Sequence, residues 1–426
     1  MITTVANTIR GLAADMVEKA NSGHPGMPLG TADLAAVLYA EFLKHDPTCP
    51  DWPDRDRFIL SAGHGSALLY SLLHLTGYPL PMEELKRFRQ LNSKTPGHPE
   101  YWEVPGIETT TGPLGQGIAN AVGMALAERM LAARYNKPGH EIVNHYTYVI
   151  AGDGCLMEGV ASEACSLAGD LKLGKLIVFY DDNEISIEGP TDLAFKEDVP
   201  KRFAAYGWQV LSIDGHNPEA IRKAIAEAKA DHNRPSLIVA KTEIGYASPL
   251  AGNASVHGAP LGKENVAVLK KNLGLPAEEF YVPAEVKDYF QAKRGEWAKH
   301  RQDWERRFAD WAAANPALKA EWDRIMQKEL PAGLEAVLPK FEAGTAFATR
   351  DVGGKVLNAL APTLPELVGG SADLAPSTKT YINGAGDVSG ADFSGKNLHF
   401  GVREHGMGAI LNGMALHGGF RVYGST

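Results

Sequence analysis

Cysteine is scarce in this chain: Cys49, Cys155 and Cys165 are the only three in 426 residues, and no two form a C-x-x-C pair. An odd, dispersed set of thiols excludes a disulfide framework and a zinc knuckle, and it fits a reducing cytoplasm. Basic charge is also lacking. Lys and Arg total 42 against 51 Asp and Glu, a formal net charge of −9, so no field draws in nucleic acid or an anionic membrane surface. Long apolar runs are absent: the longest strand-like stretch is LIVFY at 176 to 180, far short of the ~18 residues a membrane-crossing helix needs. The first twenty residues carry Arg10, Asp15, Glu18 and Lys19 between Val5, Ile9, Leu12 and Met16 at helical spacing. They read as an amphipathic core helix and not as a signal peptide. Internal repeats and low-complexity tracts are missing as well.

What is present is an ordinary globular composition, 44% hydrophobic and 22% charged, in a chain long enough for two large domains or about three average ones. Runs rich in Val, Ile and Tyr alternate with helix-period segments. YTYVIAG (146 to 152), KLIVFYDD (175 to 182), WQVLSID (208 to 214) and SLIVAKT (236 to 242) predict strands, separated by helices near 158 to 172 and 217 to 231. That rhythm predicts an α/β fold around a buried parallel sheet. Gly117 to Tyr135 predicts one long helix packed across it. From about 284 to 330 the sequence becomes charged and Trp-bearing, which suits exposed helices wrapping the first domain. The expected organisation is a first α/β domain over 1–315, a linker over 316–345, and a second α/β pattern over 346–426 that looks cut short at GGFRVYGST.

The sharpest local signal is Gly152, Asp153, Gly154 at the end of one predicted strand, with Asp181, Asp182, Asn183 ending the next. Ligands of open parallel sheets bind outside the carboxyl ends of the strands, so the two clusters can meet over one anion. A hard divalent cation takes oxygen ligands. The Asp153 carboxylate, the Asn183 amide oxygen and a backbone carbonyl near Ile185 would leave coordination positions for phosphate and water. Gly152 and Gly154 allow close backbone approach to a diphosphate. Three look-alikes fail on their chemistry. Met157 stands where a dinucleotide fingerprint needs glycine. GDLKLGK (169 to 175) has Leu176 in place of the magnesium-binding hydroxyl and leads into a strand. His140, Glu141 and His145 miss zinc spacing by one residue and read as surface histidines.

Four histidines sit in glycine-flanked turns: SGHPG at His24, AGHGS at His64, PGHPE at His98 and VHGAP at His257. Imidazoles hydrogen-bond sugar hydroxyls, and together these can line a polar substrate funnel. His74 reads as packing, and His232 and His300 as solvated. Glu158 and Glu163 follow the GDG turn, five apart and so not a same-face pair. Glu404 opens the Gly- and Met-rich helix REHGMGAILNGM, where a carboxylate facing apolar neighbours would be pushed up by desolvation, but taken alone it suits the helix N-terminus and a pairing with Arg403.

The strings ANSGHPGMPLG, GHGSALLYSLLHLTGY, TPGHPE, TTTGPLGQGIANAVGMALAE, GDGCLMEG, YDDNEISIEG, HGAPLG, ATRD, GGSADLAPS and GVREHGMGAILNGM, in this order, closely resemble the transketolase family from near residue 5 to the last residue. The resemblance implies a thiamine diphosphate-binding parallel-sheet fold, with the diphosphate-binding domain complete and the pyrimidine-binding domain truncated, since family members are longer. It implies thiamine diphosphate and Mg2+ or another divalent cation as cofactors, with Asp153, Asn183 and the Ile185 carbonyl as metal ligands. His64, Gly112, Leu114, Gly154 and Asp373 would surround the cofactor. His24, His98 and His257 would face the substrate, and Arg350 and Ser377 would hold the sugar phosphate. Glu404, with Glu158 and Glu163, would form a carboxylate network to the aminopyrimidine across the interface of a homodimer. The implied activity is transfer of a two-carbon ketol unit from a ketose phosphate to an aldose phosphate through a cofactor enamine. Two alternatives stay open: a dihydroxyacetone synthase-like acceptor choice, and a non-catalytic cofactor-binding fragment that needs a partner chain.

Overall fold

The computed structural model describes residues 1–426 and contains two parallel sheets wrapped by helices. The first has five strands, β1 (Arg57–Leu60), β2 (Thr147–Gly152), β3 (Leu176–Asp182), β4 (Gln209–Asp214) and β5 (Ser236–Lys241), in the order β1-β2-β3-β5-β4. The second has three, β6 (Leu367–Ser371), β7 (Asn397–His399) and β8 (Arg421–Ser425), in the order β7-β6-β8. The β2, β3 and β5 runs are apolar without alternation because both faces of the sheet are covered, whereas edge strand β4 is only half-buried. In the β2–β3 register Gly152 lies opposite Asp181, so the turn after β2 emerges beside Asp181–Asn183.

Helix Ile2–Ala20 buries its apolar positions as the spacing predicts, and Gln116–Tyr135 forms the expected long helix. No helix is long and apolar enough to cross a membrane. The charged segment after 284 is a single helix, Ala284–Ala314, and its tryptophans differ from the exposed setting expected of them. Trp297, Trp304 and Trp311 recur at heptad spacing and are buried. Trp304 and Trp311 also donate their indole N–H to the Ile142 and Tyr135 carbonyls, each at 2.8 Å. Full burial of a large apolar side chain contributes ~1.5–3 kcal/mol, which outweighs the ~0.3–0.5 kcal/mol of an exposed i,i+4 ion pair on the same helix. The segment expected as a linker opens with another helix, Pro316–Met326, whose Trp322 packs edge-on against Tyr135.

The two sheets are joined by close contact between helices Gln116–Tyr135 and Glu404–His417. A Cβ on Gly123 would overlap the Ile410 carbonyl oxygen, and one on Gly413 would overlap that of Asn120. Glycine at both positions lets the two backbones touch, and Asn120 Nδ2 donates to the Ala409 carbonyl at 2.9 Å. His145, read from the sequence as a surface residue, is buried at the same junction. Its Nδ1 lies 3.0 Å from Asp54 Oδ1 and its Nε2 2.8 Å from His417 Nε2. The correction has a tertiary cause, because His417 arrives from the distant end of the chain. His74 is half-buried with Nδ1 2.8 Å from the Leu80 carbonyl, while His232 and His300 are exposed.

Candidate functional site

At the carboxyl ends of β2 and β3 a cavity of about 370 Å³ gathers residues from seven separate segments of the chain. His24, His64, Gly112, Leu114, Asp153, Gly154, Asn183, Ile185 and His257 all line it. Loop 63–64 lies tight against loop 111–112, so that a Cβ on Gly63 would come within 2.7 Å of the Gly112 nitrogen.

Asp153 is buried, and the Tyr180 hydroxyl donates to its Oδ1 at 2.5 Å. Its Oδ2 is buried with no partner. Burial pushes the Asp153 carboxyl up to about 6, against the Tyr180 hydrogen bond, and neighbouring Asp182 adds to the rise. Asp181 is buried and pushed up to about 7, again by burial first. It accepts from the Thr242 hydroxyl and, at 2.8 Å, from Asn183 Nδ2. With its nitrogen held there, the Asn183 amide oxygen turns the other way and accepts from Ile185 N–H at 3.0 Å. A divalent cation fits this donor set. An unpartnered buried carboxylate oxygen is a costly feature that a cation would relieve, and Asn183 Oδ1 retains a free lone pair. No three His, Cys, Asp or Glu side chains form a metal-holding group, consistent with a donor set of one carboxylate, one amide and one carbonyl. A Cβ on Gly152 would meet nothing within 4 Å and one on Gly154 would strike Leu114 at 2.8 Å, which leaves room for a diphosphate over the turn.

The histidine turns converge as well. Ring centroids lie 5.1 Å apart for His24 and His64, 5.0 Å for His64 and His257, and 5.9 Å for His24 and His257. Burial is the main cause that lowers all three, His24 to about 4 and His64 to about 3, with the positive charge of Arg89 reinforcing it for His24. The trio is therefore neutral near pH 7 and offers both donors and acceptors to hydroxyl groups. His98 is exposed and sits beside the cavity wall, its Cγ 3.2 Å from where a Gly112 Cβ would stand.

The remaining predicted residues lie elsewhere. Glu158 is exposed at the start of helix Gly159–Asp170, and Glu163 on that helix accepts from Gly406 N–H at 2.6 Å. Glu404 is exposed at the start of its helix, whose Gly406 and Met407 turn into the core while Glu404 and His405 face out. Arg350, Asp373 and Ser377 are exposed on the second sheet's side, and Asp373 lines a separate pocket with Ser371, Tyr381 and His399. Within one chain none of these six residues lines the histidine cavity. Sequence reasoning missed Tyr180, Thr242 and Arg89, whose roles depend on contacts between distant segments. The only available signal was the position of Tyr180 one residue before the Asp181–Asn183 cluster.

Two family models match the chain: "Transketolase, thiamine diphosphate binding domain" over residues 2–331 and "Transketolase, pyrimidine binding domain" over residues 345–426. The transketolase of Geobacillus stearothermophilus is 57% identical over 423 residues, covering 98% of this chain and 63% of its own length. Transketolase 2 of Escherichia coli (strain K12) is 56% identical over 430 residues, covering 99% and 64%. Among solved structures, transketolase from Leishmania mexicana superposes with a TM-score of 0.98 at 49% identity, covering 100% of this chain and 64% of that one. A Pichia stipitis transketolase in complex with sedoheptulose-7-phosphate gives 0.98 at 48% identity, with the same coverage. The chain thus spans about 63% of the length of the curated relatives named first.

Proposed function

The chain belongs to the transketolase family, and from that premise we propose that it carries out ketol transfer from a ketose phosphate to an aldose phosphate with thiamine diphosphate and a divalent cation. The observation that carries this reading is the single cavity in which an unpartnered Asp153 oxygen, Asn183 and three neutral histidines converge. Thiamine diphosphate, when bound, supplies the carbon nucleophile and electron sink that cleavage of a ketose C–C bond requires.

The chain's own residues do the rest. Asp153, Asn183 and the Ile185 carbonyl would hold magnesium or another divalent cation, and Gly154, His64, Gly112 and Leu114 would pack around the diphosphate and thiazolium. His24, His98 and His257 orient sugar hydroxyls by hydrogen bonding, and neutral His98 and His257 can exchange donor and acceptor roles. Arg350 offers paired N–H donors to a sugar phosphate beside Ser377. The relative solved with sedoheptulose-7-phosphate supports that substrate class. Glu404, with Glu158 and Glu163, would form a carboxylate network at the pyrimidine end, and Asp373 would stand beside the cofactor. Arg350, Asp373, Ser377 and Glu404, on the second sheet's side, lie outside the histidine cavity of their own chain, which supports a homodimer in which each site takes residues from two copies. We retain 1–315 and 346–426 as the diphosphate- and pyrimidine-binding domains around a 316–345 connection. A cytoplasmic setting accords with three cysteines that are all free.

The test is ketol transfer with thiamine diphosphate and magnesium beside a cofactor-free control, together with calorimetric cofactor binding. Asp153→Ala is expected to abolish the cofactor-induced rise in unfolding free energy, which is ~2.7 kcal/mol at a ligand concentration of about 100 Kd. Unchanged binding in that variant would refute the site.

A further inference from the structure

Arg89 is a half-buried cation with no carboxylate partner, and its surroundings place it directly behind the histidine cavity. Its Nη1 donates to Ser22 Oγ at 3.1 Å, and its Nη2 lies 3.2 Å from His24 Nδ1. The guanidinium lies against the backbone at Gly97, where a Cβ would come within 3.1 Å of Cζ, so it stands between His24 and the loop that carries His98. The backbone is committed to this placement: Arg89 sits at φ 61 and its N–H donates to the Thr95 carbonyl at 2.9 Å.

A guanidinium has only donors. The Nη2–Nδ1 contact is therefore an N–H donated to an unprotonated Nδ1, and the single ring proton of a neutral His24 must reside on Nε2. That edge of the ring points the opposite way, towards Gly258, where a Cβ would meet Cδ2 at 3.2 Å and Nε2 at 3.3 Å. His24 lines the cavity. Burial, and then the positive charge of Arg89, lower the proton affinity of His24 to about 4, which agrees with a neutral ring that cannot take a second proton.

We propose that Arg89 is a positioning residue that locks His24 as the Nε2–H tautomer, so that His24 presents the cavity with a fixed hydrogen-bond donor for a sugar oxygen. The inference deepens the ketol-transfer reading and, for its role in the reaction, rests on it. Under this assignment His24 does not act as a base. The task of accepting a hydroxyl proton falls to other groups, and the buried Nδ1 of His257 that lacks any partner is the neighbouring acceptor or donor still free to choose.

The experiment is solid-state 15N spectroscopy of the full chain labelled at the histidine ring nitrogens, with His24 assigned by its loss in His24→Gln, alongside steady-state ketol transfer. The expected result is a protonated Nε2 and a bare Nδ1 in the wild type and in Arg89→Lys, which keeps a donor-only cation. In Arg89→Glu, whose carboxylate only accepts, the proton is expected to move to Nδ1, with kcat/KM lower by at least about tenfold while Arg89→Lys stays within about threefold. A wild-type His24 protonated on Nδ1 or on both nitrogens would overturn the proposal, as would an Arg89→Glu protein that keeps its proton on Nε2. If Arg89→Glu fails to fold, the wild-type and Arg89→Lys spectra still decide the tautomer. A tautomer that follows Arg89 in a protein with no ketol transfer would support the His24 assignment and refute the functional reading instead.

Discussion

The two halves of the proposed site stand in different physical states within one chain. On the first sheet, Asp153, Asp181, His24 and His64 are held by neighbours of the same chain, and burial has already set their protonation: carboxyls pushed up, imidazoles pushed down. On the second sheet, Arg350, Asp373, Ser377 and Glu404 stand exposed. A group enclosed by its own fold has a chemistry fixed in advance, whereas an exposed group takes its chemistry from whatever comes to cover it. Burial acts on carboxylates at Asp153 and Asp181, because parallel strands whose ends lie together crowd them under a covered sheet, whereas Glu404 stands exposed.

This contrast breaks most sharply at Glu404. Glu404→Gln is expected to lower ketol transfer by about a hundredfold or more, as removal of a proton-handling group does, while changing unfolding free energy by no more than ~0.5 kcal/mol as an exposed substitution. A comparable loss of stability in urea denaturation would place Glu404 in a preformed network and erase the difference between the halves.

A smaller effect is expected from pH on the first half. His24 and His64 have folded-state values of about 4 and about 3, below the ~6.5 of an unfolded chain. Between those limits the unfolded state binds more protons, so stability falls as pH drops from ~6.5 towards 4 and is unaffected by these groups above ~6.5. Asp153 and Asp181, pushed up to about 6 and about 7, contribute the opposite slope in this window, so the histidine slope is read as the difference between wild type and His64→Gln in denaturant titrations from pH 7.5 to 5. A slope identical in the variant would mean that the cavity is wet enough for the imidazole to protonate freely.

The smallest expected change is on the exposed half. Ser377→Ala should raise KM for a sugar phosphate by about fivefold, the cost of one hydrogen bond to an anion in a screened setting, with kcat and thermal stability unchanged. A fall in kcat alone would move Ser377 from phosphate binding to the reacting centre.

Much of the fold was legible because periodicity is a local property. The apolar runs of β2, β3 and β5 and the helix Gln116–Tyr135 fall close to where the sequence predicts them. β1 was not legible, since RFIL is four residues long and lies among charged neighbours that resemble a loop. Gly123 and Gly413 gave no sign of facing each other's helix, because a glycine that permits contact looks in sequence like any other glycine. At the site, residue types that suit metal and sugar chemistry could be singled out in their turns, but Tyr180, Thr242 and Arg89 gain their meaning only from what they touch.

The sequence by itself determined the α/β class, the positions of most strands and helices, and the motif order that marks the family, all of which follow from local pattern and residue chemistry. Only the tertiary structure decided protonation and direction: which Asp153 oxygen is left without a partner, which way the Asn183 amide points, that His145 is buried against His417, and that His24 accepts from Arg89. Desolvation and hydrogen-bond direction depend on neighbours brought together from distant segments, and no local pattern in the chain encodes them.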